Sequence, residues 1–164
     1  ELLDPAALLE RPLSEVEQAL TPSGYFHVKA VRVRAFCRYL VDVHAGCMDI
    51  MARVPLERLR PELLEVKGIG PETADDILLY ACGKPVFVVD AYTRRILSRH
   101  GLVAHDIAYD PLKAIFERHL PSDVNRFKEY HGLIVYTGKD FCRKQPKCEG
   151  CPLAPTLKRG QPVG

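Results

Sequence analysis

Several features that would assign a protein to a class at once are missing from this sequence. No apolar run approaches the length that spans a membrane, and no internal repeat or low-complexity tract occurs. Patterns typical of β-strands are almost absent as well. Lysine and arginine number 23 against 21 aspartate and glutamate, so the formal net charge is only +2. An anionic partner must therefore be attracted by local clusters of charge.

The composition is that of an ordinary globular protein. The chain has 164 residues, of which 47% are hydrophobic and 27% are charged. That length is enough for one compact core or for two small lobes. The chain begins at Glu1 without a methionine, in a helix-like stretch. We expect from this that an N-terminal part of a longer protein is missing.

Helical patterns dominate the chain and predict an all-α fold. From Pro71 to Cys82 the apolar residues recur at helical spacing, and Pro71 suits the first helical position. The residues on that apolar face are Ala74, Ile77, Leu78 and Ala81. Further helices are predicted from Lys29 to His44, from Asp110, and from Asp123 to Gly138. The apolar run at 86–89 is too short and isolated to begin a sheet.

The predicted helix at 29–44 has two different faces. Its apolar residues Val31, Ala35, Phe36 and Leu40 are expected to point inward. Its outer side is basic and carries Lys29, Arg32, Arg34 and Arg38. Tyr25 and Phe26 are placed in the loop before it.

Two glycines form a tight turn between a short helix, beginning near Pro61, and the helix at Pro71. Gly68 and Gly70 lack a Cβ, so they permit positive φ and a close approach of the backbone to another surface. The free N–H groups at the start of the second helix favour an anion, and phosphate is the natural occupant. The alternative is a structural turn without a ligand.

One aspartate follows the apolar run at 86–89. Asp90 opens a helix that runs through Ala91 to Leu97. An aspartate in that position is ordinarily an N-cap. A catalytic carboxylate is the competing interpretation.

The combined pattern resembles the helix-hairpin-helix, Gly/Pro-rich loop and aspartate signature of the endonuclease III superfamily of DNA glycosylases. The residues that carry it are G-I-G-P-E-T-A-D-D-I-L from 68, G-K-P-V-F-V-V-D-A-Y-T-R-R from 83, S-G-Y-F-H-V-K-A from 23, and H-G-L-I-V from 131. The resemblance implies base excision. The hairpin would grip the DNA backbone from the minor-groove side, and the damaged nucleotide would turn out of the stack.

The resemblance also implies roles for single residues. Asp90 matches the catalytic aspartate of the superfamily, whose negative charge stabilises a sugar with oxocarbenium character. The residues expected to contact DNA at the hairpin are Lys67, Gly68, Ile69, Gly70, Glu72 and Thr73. Relatives carry further helices before the matched region, and residues 1–22 do not resemble them.

Glu72 narrows the predicted chemistry. Bifunctional members carry a lysine at this position, whose amine forms a Schiff base with the sugar, and a carboxylate cannot do so. We therefore expect a monofunctional glycosylase that uses water. The sequence around Glu72 and Asp90 looks most like the endonuclease III-like 3-methyladenine DNA glycosylases, which remove alkylated purines. The alternatives are removal of oxidised pyrimidines or mispaired bases, and a noncatalytic DNA-binding protein.

Aromatic side chains could recognise such a base by stacking and cation-π attraction. Tyr25, Phe26 and Tyr92 are possible lining residues of a base pocket. Packing in the core or in loops is the alternative for each of them.

His27 and His131 are expected to be packed or solvent-facing rather than catalytic. The expected partner is double-stranded DNA that contains a damaged base. We expect the protein to bind it as a monomer and not to associate with a membrane. The expected location is inside the cell with the DNA, which in a bacterium is the nucleoid in the cytoplasm.

Residues 139–164 form a separate basic, cysteine-containing module after the helical region 1–138. Its Cys142, Cys148 and Cys151 resemble the iron–sulfur loop at the C-terminus of endonuclease III relatives. The fourth cysteine of that loop is replaced by Leu157. Three hypotheses remain: a [4Fe-4S] cluster with an unusual or missing fourth ligand, a zinc site, or a vestigial loop with free thiols.

Two basic groups are candidates for phosphate contacts. The loop would present Lys139, Arg143, Lys144 and Lys147, and the helix after Asp90 carries Arg94, Arg95 and Arg99. Simple solvation at the surface is the alternative for most of these side chains.

Overall fold

The computed structural model describes residues 3–157 and 162, and within these ranges it contains helices and turns but no strand. The all-α prediction is confirmed. The chain divides into two compact units, residues 1–84 and 85–164. The 139–164 module lies in the second unit, and its residues 158–161, 163 and 164 are outside the described ranges. No helix in the described ranges is long and apolar enough to cross a membrane.

The first unit contains six α-helices among its described residues. They are α1 Pro5–Glu10, α2 Leu13–Leu20, α3 Phe26–His44, α4 Met48–Ala52, α5 Leu56–Glu65 and α6 Pro71–Asp76. Helices α1 and α2 pack on α3. Their shared core contains Leu8, Val16, Ala30 and Cys37.

The inner face of α3 differs from the sequence prediction. The helix begins at Phe26, three residues earlier than predicted, and it buries Ala30, Cys37 and Leu40. Val31, predicted to point inward, is 45% exposed. Leu40 is buried as predicted, and Ala35 and Phe36 are half-buried. The prediction is wrong at Val31, whose neighbour Ala30, about 100° away around the helix axis, is buried instead.

Helix α5 begins at Leu56, five residues before the predicted start at Pro61. The sequence prediction places Pro61 at the beginning of the helix, but this residue lies inside it. Leu59 and Leu63, on either side of the proline, are fully buried. Their burial stabilises a helix that the proline ring alone would disfavour.

The predicted helix from Pro71 to Cys82 forms in two parts. Helix α6 ends at Asp76 and continues as a π-helical turn, Ile77–Ala81. The amide of Cys82 donates to the carbonyl of Ile77, five residues earlier. This wider turn rotates the following residues, so Ala81 is exposed although the regular helical pattern placed it on the apolar face.

The second unit opens with a buried extended segment. Residues 86–89 are all buried and belong to no sheet. The amide of Phe87 donates to Oε1 of Glu117 at 3.0 Å. The Phe87 ring stacks on Phe116 with centroids 4.1 Å apart and meets Phe127 edge-on at 5.3 Å. A side-chain acceptor thus replaces the strand partner that this backbone lacks.

Three α-helices follow in the described part of the second unit: α7 Ala91–Arg99, α8 Tyr109–His119 and α9 Val124–Asp140. Asp123 caps α9 as predicted, with Oδ1 accepting from the amide of Arg126 at 2.7 Å. Helix α8 is capped at Ala108, and Asp110 lies inside its first turn rather than opening it.

Gly138 does not end α9, contrary to the sequence prediction. It is buried inside the helix, and α7 packs on α9. A Cβ built on Gly138 would lie 2.6 Å from both Cβ and Cγ of Tyr92. The glycine is therefore required by the close approach of the Tyr92 ring, not by a change of backbone direction.

We predict that Gly138→Ala lowers the free energy of unfolding by about 1–3 kcal/mol, because the methyl group overlaps the Tyr92 ring. Gly132→Ala is the matched control in the same helix, since nothing lies within 4 Å of its Cβ position. That variant should be more stable by about 0.5–1 kcal/mol, the ordinary helix preference for alanine. Urea unfolding at neutral pH measures both. Equal effects of the two substitutions would contradict the packing role of Gly138.

Candidate functional site

The turn between α5 and α6 has one buried anchor and exposed neighbours. Ile69 is only 8% exposed, and its amide donates to the carbonyl of Val66 at 3.0 Å. Gly68 adopts φ +91°, a conformation that favours glycine. The other predicted DNA contacts are exposed, namely Lys67, Gly68, Gly70, Glu72 and Thr73. The turn therefore presents backbone to solvent while one side chain holds it to the unit.

A buried ion pair connects the two helices that flank this turn. Arg60 of α5 donates through Nε to Oδ1 of Asp75 in α6 at 2.7 Å, and through Nη2 to Oδ2 at 3.3 Å. Asp75 is completely buried. A two-point contact between planar groups restricts both distance and orientation. Sequence reasoning did not find this pair, because its members are fifteen residues apart and their pairing follows no motif.

Arg32 of α3 lies directly over the glycine turn. A Cβ built on Gly68 would be 2.5 Å from Cγ and 3.3 Å from Nε of Arg32. The side chain is exposed and makes no hydrogen bond or ion pair with the residues that the structure describes. The sequence indicated only that Arg32 belongs to the basic side of α3. Its position adds a free positive charge to the turn.

An open cavity of about 400 Å³ adjoins the same turn within the first unit. Lys29, Arg32, Gly68 and Thr73 provide its polar side. Its apolar lining consists of Leu20, Val33, Phe36, Ile69 and Ile77. The amine of Lys29 donates to the carbonyl of Ser23 at 2.6 Å, so Arg32 is the more available of the two cations.

Asp90 caps α7 with one of its two carboxylate oxygens. Oδ1 accepts from the amide of Thr93 at 2.7 Å and from the Thr93 hydroxyl at 2.8 Å. Oδ2 takes no part in the cap and lies 3.8 Å from Nε2 of His131. Oδ1 thus makes the cap that the N-cap interpretation expects, and Oδ2 lies outside that cap.

The surroundings of Asp90 favour its charged form. Burial acts to raise the pKa of this carboxyl, but the neighbouring His131 imidazole and the two Thr93 hydrogen bonds outweigh it and hold the pKa below its usual range. His131 comes from α9 and is 12% exposed in its side chain. It is packed, as expected, but its place beside Asp90 was not predicted. The carboxylate is therefore negatively charged at neutral pH.

The three aromatic candidates for a base pocket differ in their surroundings. Tyr25 is 88% exposed and has φ +51°, a left-handed conformation that is uncommon for an aromatic residue. Phe26 is the first residue of α3, and its ring lies 4.1 Å from that of His27. Tyr92 packs against Gly138 and lies under the guanidinium of Arg95, which is 4.9 Å from its ring centre.

The three cysteines of the C-terminal loop line one small apolar pocket together with His100 and Leu157. The pocket holds about 20 Å³ of accessible space, which is room for about one water molecule. Within residues 3–157 and 162, no group of three or more His, Cys, Asp or Glu side chains could hold a metal ion. Leu157 also offers no ligand atom in the fourth position. The arrangement does not fit the iron–sulfur cluster that the sequence resemblance implies.

Two arginines that were candidates for phosphate contacts bind this loop instead. Arg95 donates through Nε to the carbonyl of Cys142 at 2.6 Å and through Nη2 to that of Gly138 at 3.1 Å. Arg99 donates to the carbonyls of Arg143 at 2.5 Å and Lys144 at 2.8 Å. Neither side chain is simply solvated.

The lowered pKa of Asp90 predicts a specific dependence of stability on pH. A carboxyl whose pKa is lower in the folded state contributes stability above its unfolded pKa, about 3.9, and loses it as pH falls through the folded value. We expect the difference in unfolding free energy between the wild type and Asp90→Asn to shrink as pH falls below about 4, where the carboxyl of the unfolded chain becomes protonated. Urea unfolding between about pH 5 and about pH 3 measures it. A difference that stays constant in acid would contradict the lowered pKa.

Comparisons with known proteins agree with this geometry. A model of the HhH-GPD superfamily of base excision DNA repair proteins matches residues 1–122. A candidate DNA repair glycosylase of Methanocaldococcus jannaschii is 41% identical over 155 residues, which are 93% of this chain and 70% of that protein.

Two solved structures are similar as well. A non-covalent complex of endonuclease III with DNA gives a TM-score of 0.76 at 27% identity, covering 96% of this chain and 69% of that one. The H. pylori 3-methyladenine DNA glycosylase MagIII, bound to 1,N6-ethenoadenine, gives 0.71 at 29% identity, covering 82% and 66%. The chain thus spans about two thirds of the length of these proteins. On its sequence, its fold and its glycine hairpin, the chain belongs to the HhH-GPD superfamily of base excision DNA repair proteins.

Proposed function

We propose that this protein is a monofunctional DNA N-glycosylase that hydrolyses the bond between an alkylated purine, such as 3-methyladenine, and its deoxyribose. The observation that carries the proposal is the divided carboxylate of Asp90. One oxygen holds the residue at the start of α7, and the other, kept charged, lies beside His131. The protein acts on DNA inside the cell, as a monomer.

The charge on Asp90 serves the departure of the base. As the N-glycosidic bond breaks, positive charge develops on the sugar, and a preorganised carboxylate stabilises that charge. The same oxygen can align the water that attacks the sugar carbon, with its proton passing to the carboxylate. The hydrogen bonds from Thr93 prevent the carboxylate from rotating. His131 is a positioning residue that restricts the free oxygen.

Glu72 supports the monofunctional assignment. It occupies the position where bifunctional relatives carry their lysine, and it is exposed on the first turn of α6. Hydrolysis by water then leaves an abasic site with an intact strand. Alkylated purines suit such an enzyme, since a cationic base leaves readily and needs little acid catalysis. The similarity to MagIII, a 3-methyladenine DNA glycosylase, supports the same substrate class.

The glycine turn supplies the grip on DNA. Its exposed backbone at Gly68 and Gly70 permits close approach of a phosphate, and Arg32 places a positive charge over it. The Arg60–Asp75 pair keeps the two flanking helices in register while phosphate binds. Tyr25, exposed at the start of α3, is available to stack on a nucleobase.

The principal test is base release from defined duplexes. Duplexes with 3-methyladenine, thymine glycol or a G:T mismatch are incubated with the protein, and abasic sites are revealed by alkali. We expect release from the alkylated duplex, with Asp90→Asn slower by at least about 100-fold and unchanged in DNA affinity. Asp123→Asn is the matched control, since Asp123 is also an N-cap with the same 2.7 Å hydrogen bond. It should retain full activity.

The other outcomes of this assay separate the alternatives. Release only from thymine glycol or the mismatch would change the substrate class and retain the chemistry. Binding without alkali-labile sites in any duplex would make the protein a noncatalytic DNA binder. A covalent complex trapped by borohydride would refute the monofunctional assignment, because only an imine is reduced in this way.

The role of Arg32 is tested by the dependence of DNA binding on salt. Arg32→Gln should weaken binding to any duplex several-fold and reduce the slope of log affinity against log salt by about one. Arg118→Gln is the control, because Arg118 is exposed and donates to the carbonyl of Ala114 in its own helix. Fluorescence anisotropy at several salt concentrations measures both. An unchanged slope for Arg32→Gln would remove this residue from the interface.

A further inference from the structure

The C-terminal loop is held in place by side chains of α7. Four hydrogen bonds run from Arg95 and Arg99 to backbone carbonyls at 138, 142, 143 and 144. Arg99 also donates to the sulfur of Cys142 at 3.4 Å. We propose that these two arginines, not a metal, order the loop at 141–148.

The cysteine loop does not supply a full set of metal ligands among the residues that the structure describes. No group of three or more His, Cys, Asp or Glu side chains there could hold a metal ion. Leu157 lines the pocket where the iron–sulfur loop has its fourth cysteine. An apolar side chain there packs against the other lining residues in place of a metal bond. The core under the loop is therefore closed by apolar contacts.

Arg95 donates hydrogen bonds to carbonyl groups at and just after the C-terminal end of α9. The last carbonyls of an α-helix have no partner within it, and its C-terminus attracts positive charge. In α9, the carbonyl of Thr137 accepts from the amides of Phe141 and Cys142, and Gly138 accepts from Arg95. The carbonyl of Lys139 accepts from Nε of Arg143 at 2.9 Å. The end of α9 and the loop are thus fixed together by charge-assisted hydrogen bonds.

The planar guanidinium is suited to this task. The Arg95 guanidinium lies over the Tyr92 ring, with 4.9 Å between its central carbon and the ring centre. This contact restricts the orientation of the guanidinium toward the carbonyls that it binds. Arg99 uses Nη1 and Nη2 for two adjacent carbonyls, a fork that a lysine amine cannot reproduce. Both arginines come from one helix that Asp90 caps.

The experiment examines metal and order without DNA. The 164-residue chain is purified anaerobically, and its iron and zinc are measured. Hydrogen exchange then compares the amides of 141–148 in three variants: the triple Cys142→Ser, Cys148→Ser and Cys151→Ser substitution, Arg99→Gln, and the exposed control Arg126→Gln. We expect no stoichiometric metal and unchanged exchange in Arg126→Gln. Arg99→Gln should accelerate exchange about tenfold, and the triple variant by less, because it alters one weak acceptor of Arg99, the Cys142 sulfur, and leaves the bonds to the carbonyls.

Two results would overturn the idea that arginines order the loop. Stoichiometric iron with an absorption band at about 400 nm, lost together with loop protection in the triple variant, would show that a cluster orders the loop. Unchanged exchange in Arg99→Gln would show that the arginine does not. If Arg99→Gln fails to fold, Arg99→Lys keeps the charge without the fork, and its loop exchange should still accelerate.

Discussion

The contact between the Tyr92 ring and Gly138 sets how closely α7 and α9 can pack, and the organisation of the second unit depends on it. At this separation His131 of α9 lies beside the carboxylate of Asp90 at the start of α7. The same packing brings Arg95 within hydrogen-bonding distance of the carbonyl of Gly138. One missing Cβ therefore supports both the candidate catalytic group and the anchoring of the C-terminal loop.

The first unit fixes its own helices by charge. Asp75 is fully buried and the Arg60 side chain is 21% exposed, and the two-point contact between them offsets part of the cost of removing both groups from water. In return it restricts the two helices around the glycine turn. Ile69 anchors the turn while Gly68 stays exposed. Rigid helices thus position a short stretch of backbone that has few contacts of its own.

Local signals in the sequence predict much of this structure, and long-range contacts explain what they miss. Asp90 and Asp123 are identifiable as caps because a cap depends on residues three positions away. Gly138 is mistaken for a helix end because a helix-terminating glycine and a packing glycine look alike in one sequence. The bonds from Arg95 and Arg99 to the loop join residues more than forty positions apart, and no local pattern indicates them. The substrate class depends on a pocket shape that a motif does not encode.

The guanidinium-held loop bears on the conditions under which such an enzyme can work. An iron–sulfur centre must be supplied with iron, and its thiolate ligands are open to oxidation, so a protein built on one loses function when iron is scarce or oxidants accumulate. Hydrogen bonds from arginine to carbonyl oxygens depend on neither. On our proposal that the arginines order the loop, the loop keeps its structure during iron starvation and oxidative stress, when a loop held by a cluster would lose it.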